Sequence, residues 1–171
     1  MNRIHHRSIT LVLFFSGLLL VPATLHAQNK TAEKKLVMEG LKCNMTQTEV
    51  KKLLKEPGRI EDSPFGVYWV YAKPSIKVTL SDNPDFKKKL PEAIVTGLWT
   101  NSPSTKITVD GKAIKVGGKL SDLEAVIGKN QKSDWFGINE TIYSWFDNVL
   151  NAVEKDGKII SISIDRPFNF K

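Results

Sequence analysis

The side chains that could do chemistry in this 171-residue chain are few and poorly placed for it. Its three histidines, His5, His6 and His26, all stand in the first 27 residues, and its single cysteine is Cys43. Once that first segment is removed, no imidazole is left to serve a serine or a thiol. Neither a Ser-His-Asp nor a Cys-His nucleophile can then be assembled, and a thiolate-imidazole zinc site goes with them. Carboxylates remain. Glu61 with Asp62, and Asp82 with Asp85, are close enough in sequence for acid/base work, yet both pairs sit among turn-forming residues, where a solvated loop is the plain reading. Asp82, Asn83 and Asp85 offer oxygen ligands for calcium, without the distal bidentate Glu of a calcium loop. Gly117-Gly118 ahead of a helix reads as a turn, not as a phosphate cradle. Cys43 lacks a second cysteine for an intrachain disulfide and a histidine to activate it, and reads as a small buried apolar side chain. The expectation is a protein that is not an enzyme and uses no cofactor or metal.

The segment Met1 to Ala27 has the build of a secretory signal: Arg3 and Arg7 at the start, an apolar run from Ile9 to Ala23, and a small residue, Ala27, at the end. Pro22 and the polar Gln28, Asn29 and Lys30 arrive too soon for the roughly 20 apolar residues that a membrane span needs. Gln28, and not a lipidatable Cys, follows the expected cleavage point. The expected localisation is periplasmic or secreted, with no stable membrane insertion after cleavage. Subtracting Arg3 and Arg7 lowers the 25 Lys plus Arg to 23, which against 18 Asp plus Glu leaves a net charge of +5. Only Arg59 and Arg166 of those cations are arginines. Lysine is a hydrated point charge, whereas phosphate and base edges are read by the arginine fork, so nucleic acid is not an expected partner.

Beyond a polar flexible leader over residues 28–39, two segments look alike, 40–100 and 101–171. Thr46 with Glu49, and Ser121 with Glu124, have the spacing of a capping box, in which a hydroxyl and a carboxylate satisfy each other's free amides. Val50, Leu53 and Leu54 follow the first cap at helical spacing, and Leu123, Val126 and Ile127 follow the second. Pro57-Gly58 and Gly128 stop the two short helices. Each helix precedes a Phe-Gly step, Phe65-Gly66 or Phe136-Gly137, and then three strands: 67–71, 76–80 and 93–99 in the first segment, 142–146, 149–153 and 158–164 in the second. Asp156-Gly157 is a hairpin turn, and Asp110-Gly111 joins an additional hairpin between the two segments. The basic run Lys87 to Lys89 reads as a solvated loop tip. The expected fold class is α+β, two tandem helix-plus-antiparallel-sheet repeats packed as one body.

The string Asn44-Met45-Thr46-Gln47-Thr48-Glu49-Val50, continuing through Leu53, Leu54 and Pro57 into a Tyr/Trp strand, resembles the helix-plus-sheet module of the SmpA/OmlA (BamE) family and of β-lactamase inhibitor protein. Gly117-Gly118-Lys119-Leu120-Ser121 through Ile127-Gly128 to Tyr143-Ser144-Trp145 is similar in order. The resemblance implies a BLIP-like fold. It also implies an extracytoplasmic binding surface, inhibitor-like or accessory to envelope assembly, whose partner is another envelope or secreted protein.

Alternation along the strands sorts the candidate contact residues. Ile76, Val78 and Leu80 alternate with Lys77 and Thr79, and Ile160, Ile162 and Ile164 with Ser161 and Ser163, so each sheet has one apolar and one polar face. In 67–71 both faces carry aromatics, Trp69 and Tyr71 on one and Tyr68 on the other, and one set must meet solvent. The candidate partner-binding residues are Tyr68, Tyr71, Lys77, Trp145, Ser161 and Ser163. Two other functions stay open at this level: a small-ligand or anionic-lipid binding protein, and a carboxylate-based cell-wall hydrolase.

Overall fold

A computed structural model describes residues 36–64, 66–86 and 89–167. The expected signal segment, residues 28–35 of the expected leader, Phe65, and Lys87 and Lys88 of the basic run lie outside the described residues.

Two β-sheets and two short helices make up the fold. In chain order they are β1 (Leu36–Met38), α1 (Gln47–Leu54), β2 (Arg59–Ser63), β3 (Gly66–Tyr71), β4 (Ile76–Ser81), β5 (Ile94–Thr100), β6 (Ile107–Val109), β7 (Lys112–Ile114), α2 (Leu120–Ile127), β8 (Lys132–Gly137), β9 (Glu140–Trp145), β10 (Leu150–Lys155) and β11 (Lys158–Asp165). The large sheet has eight strands in the order β2-β3-β4-β5-β11-β10-β9-β8, every neighbouring pair antiparallel. It consists of two four-stranded meanders joined where β5 pairs with β11. The small sheet has the order β1-β6-β7.

Local chemistry explains most of these elements. Thr46 caps α1 as its spacing requires: the Glu49 amide donates to Thr46 Oγ1 at 3.2 Å, and the Thr46 amide donates to Glu49 Oε2 at 2.7 Å. The second cap differs from expectation. Helix α2 begins at Leu120 with Lys119 as its cap residue, and the carboxylate of Asp122, not Glu124, accepts the Lys119 amide at 3.0 Å. Ser121 is therefore inside the helix, while Glu124 is drawn to Lys129 at the other end. Asp110-Gly111 and Asp156-Gly157 both have positive φ at the two central positions, which matches the right-handed twist of the strands they join. Gly66 cannot be replaced without strain, since its φ is +137° and a Cβ would lie 2.0 Å from the Leu80 carbonyl oxygen.

One apolar core lies on a single face of the large sheet. Trp69, Tyr71, Val78, Leu80 and Leu98 from one meander and Trp145, Leu150, Ile162 and Ile164 from the other belong to the same cluster. Val50 of α1, Leu123 of α2, and Leu36, Met38, Ile107 and Ile114 of the small sheet join them from the covering layer. Leu36 and Met38 are wholly buried in β1, so the last residues of the expected leader are core.

The expected α+β class is thus corrected. Strand accounts for 46% of the structure and helix for 13%, which makes it predominantly β. Each helix is a two-turn plug of eight residues on a much larger sheet. The strands do not form one sheet per repeat: the two meanders share a continuous sheet, and each has four strands where three were expected. The added ones, β2 and β8, are the sheet's edges. Both carry charged side chains, which disguises an edge strand in a sequence and protects it from pairing with other chains.

Candidate functional site

The covering layer leaves the other face of the large sheet open. In-register pairing sets a row of residues across this face: Val70 on β3, Lys77 on β4, Trp99 on β5, Ser163 on β11, Asn151 on β10 and Ser144 on β9. A second row beside it runs Glu61, Tyr68, Thr79, Gly97 and Asp165. The face has two chemically distinct halves, with Trp99 between them.

The half formed by β2, β3 and β4 is charged. Glu61 accepts ion pairs from Arg59 and, at 3.2 Å, from Lys77. The Lys77 ammonium also lies 4.9 Å from the centre of the Tyr68 ring, a cation-π contact. The other half is a concavity of about 560 Å³ whose walls are Trp99, Ile142, Val153 and Ile160. Its floor is polar. Asn151 Nδ2 and Ser163 Oγ each donate to Asp165 Oδ2 at 3.0 Å, and Ser144 Oγ donates to Asn151 Oδ1 at 2.7 Å. Burial raises the Asp165 pKa above the ordinary carboxylate value, and these two donors only partly offset it.

The structure separates the expected contact residues. Tyr68, Lys77 and Ser163 stand half-buried on the open face, and Ser161 lines the concavity at 8% exposure. Tyr71 and Trp145, at 4% and 1% exposure, belong to the core and leave the candidate surface. Tyr71 donates its hydroxyl to the Lys55 carbonyl at 3.2 Å, and Trp145 donates Nε1–H to the Gly128 carbonyl at 3.0 Å. Both polar tips are thus satisfied by the ends of the covering helices, so these rings fasten the helices to the sheet.

Sequence reasoning did not select Trp99, which is 39% exposed on the open face. Simple alternation from buried Val95 puts Gly97 and Trp99 inward. An extra residue at Thr96, opposite the step from Thr79 to Leu80, shifts the register, so that Leu98 turns inward and Trp99 outward. A bulge at Ile160 acts likewise: Val153 pairs with Ser161 and Glu154 with Ile159, so Ile160 joins the concavity instead of the core face expected for it.

The candidate acids do not converge. Glu61 and Asp62 are successive strand residues and point to opposite faces. Asp82 pairs with Lys89 at 2.9 Å, and both Asp85 carboxylate oxygens accept from Arg166. Among the described residues, no three His, Cys, Asp or Glu side chains are placed to hold a metal ion. No described helix is long and apolar enough to cross a membrane.

No protein-family model matches the chain, and no curated protein matches it. One similar solved structure is an extracellular protein containing an SCP domain from Bacillus anthracis, 13% identical over 72% of this chain with a TM-score of 0.46. Another is a DUF4309 family protein, YjgB, from Bacillus subtilis, 12% identical over 71% of this chain and 78% of its own length, with a TM-score of 0.45. The chain spans 43% of the length of the Bacillus anthracis protein.

Proposed function

We propose that this chain is a non-enzymatic protein-binding module that acts outside the cytoplasm and engages a secreted or envelope protein through the open face of its large sheet. One observation carries the reading: a continuous eight-stranded sheet is packed on one face and bare on the other, and the bare face has a half-exposed tryptophan near its middle. Tryptophan is enriched among the residues that dominate interface energetics, because a rigid ring buries a large area at little entropic cost. Tyr68 and Lys77, beside it on the sheet, supply the polar surround that a protein interface needs. The location rests on the signal-like residues 1–27, and the inhibitor-like or assembly-accessory role on the resemblance of residues 44–57 to the SmpA/OmlA and β-lactamase inhibitor modules.

The test is affinity capture from an envelope or secretory extract of the producing organism, with wild type, Trp99→Ala, Lys77→Glu and Leu53→Ala as baits. Leu53 is exposed on α1, away from the open face, and serves as the control. A partner kept by Leu53→Ala and lost by Trp99→Ala supports the reading. A partner kept by all four baits, or lost only with Leu53→Ala, places the interface elsewhere and defeats it.

A further inference from the structure

The concavity beside Trp99 has one polar group that the protein itself does not use. The buried polar side chains are Ser81, Thr100, Thr105, Ser144 and Ser161. Ser81 accepts the Asn83 amide, Thr100 donates to the Ser75 carbonyl, Thr105 shares a hydroxyl contact with Thr100, and Ser144 donates to Asn151. Ser161 is as buried as these, yet its hydroxyl has no partner among the described residues, and it lines the concavity. A hydroxyl withdrawn from bulk solvent and left unpaired costs free energy, which a ligand atom at that place would recover. The Ile160 bulge is what brings Ser161 to this position: it sets two successive side chains on the open face, one apolar wall and one hydroxyl floor.

Charge narrows the ligand class. Glu140 at the rim is held by Lys155 at 2.9 Å, and Asp165 under the floor by Asn151 and Ser163. Lys77, next to Trp99, is committed to Glu61, and Asp134, paired in register with Ile142, is not free either. No charge is left over to meet an ion. The exposed lining is chiefly aliphatic and aromatic, and its volume falls within the roughly 300–1,000 Å³ of small-molecule sites.

We infer that this concavity is a binding site for an uncharged, mostly apolar small molecule that carries a hydroxyl, packs against Trp99 and hydrogen-bonds Ser161. The site goes beyond the protein-binding reading and stands or falls separately from it. The probe is 2-naphthol, titrated into the protein by calorimetry and by amide and indole NMR shifts, with 2-naphthoate as its anionic analogue. A single saturable site with a dissociation constant of about 0.1–1 mM is expected for a ligand of this size. Shifts should centre on the Trp99 indole N–H and the Val153 and Ser161 amides. Ser161→Ala should weaken 2-naphthol about five- to tenfold, Trp99→Ala at least tenfold, and 2-naphthoate should bind at least tenfold more weakly than 2-naphthol. Absence of saturable binding, shifts centred elsewhere, equal affinity in both variants, or equal affinity for the anion would each overturn the assignment. The NMR shifts keep the test decisive even if a variant unfolds.

Discussion

Gly97 and Asp165 lie directly opposite one another in the seam between β5 and β11, and the aspartate occupies the space that a side chain at position 97 would need. A Cβ on Gly97 would stand 3.1 Å from Asp165 Oδ1 and 3.1 Å from Thr79 Oγ1. The carboxylate cannot easily give way, since Asn151 and Ser163 both hold its other oxygen. The two meanders therefore meet through a glycine on one side and a fastened acid on the other.

Gly97→Ala should accordingly destabilise the protein by about 1–2 kcal/mol, the usual scale for a tight contact in a packed region. The cost should shrink in an Asp165→Ala background, because the obstructing oxygen is gone. Urea denaturation of the two single variants and the double variant measures the coupling. Strict additivity would show that the Gly97–Asp165 approach does not constrain the seam.

Asp165 also imposes a pH dependence of known sign. Its folded pKa is raised above the ordinary 3.8 by burial, so the folded state holds this proton more tightly than the unfolded chain. Its contribution is fully present below the unfolded value and is lost as pH rises through the folded one. The difference in stability between wild type and Asp165→Asn should therefore shift in favour of the variant as pH rises from about 3.8. Stability curves against pH for both proteins test this, and an unchanging difference would contradict it.

At the alkaline end the same argument applies to Tyr71, whose pKa burial and, secondarily, Glu56 push from 10.0 up to about 12. Its contribution is complete below 10 and disappears as pH rises through 12. Tyr71→Phe should cost about 1 kcal/mol at neutral pH through loss of the bond to Lys55, and should lose less stability than wild type between pH 10 and pH 12. Parallel alkaline losses in the two proteins would count against this account.

Two tryptophans separate packing from recognition. Trp145→Ala should cost about 3–5 kcal/mol, because it opens the core and strands the Gly128 carbonyl. Trp99→Ala should cost less than about 1 kcal/mol and alter binding only. Thermal denaturation distinguishes the two; comparable losses would place Trp99 in the structural framework.

How much of this was legible in the sequence depended on alternation. The strands around Ile76–Leu80 and Ile160–Ile164, the Thr46–Glu49 cap and the Asp-Gly turns follow from short-range chemistry, and the structure has them near the expected positions. The edge strands were hidden by Arg59, Glu61, Asp62 and Asp134, charges that read as loop. The joining of two meanders into one sheet was not legible, since pairing of β5 with β11 is a long-range choice that no local pattern encodes. For the candidate site, alternation shows which residues share a face but not which face will be covered, so Tyr71 and Trp145 were placed among the contacts. Single-residue bulges at Thr96 and Ile160 then reversed the expected orientation of Trp99 and Ile160.

The central claim is that recognition belongs to the open face. Its most direct test is photo-crosslinking in the organism's own secretory or envelope fraction, with a benzophenone side chain placed at position 99 in one protein and at position 53 in another; both positions are solvent-accessible. The account expects a discrete adduct of defined mass from position 99 that is absent from position 53. Adducts from position 53 with none from position 99 would contradict it.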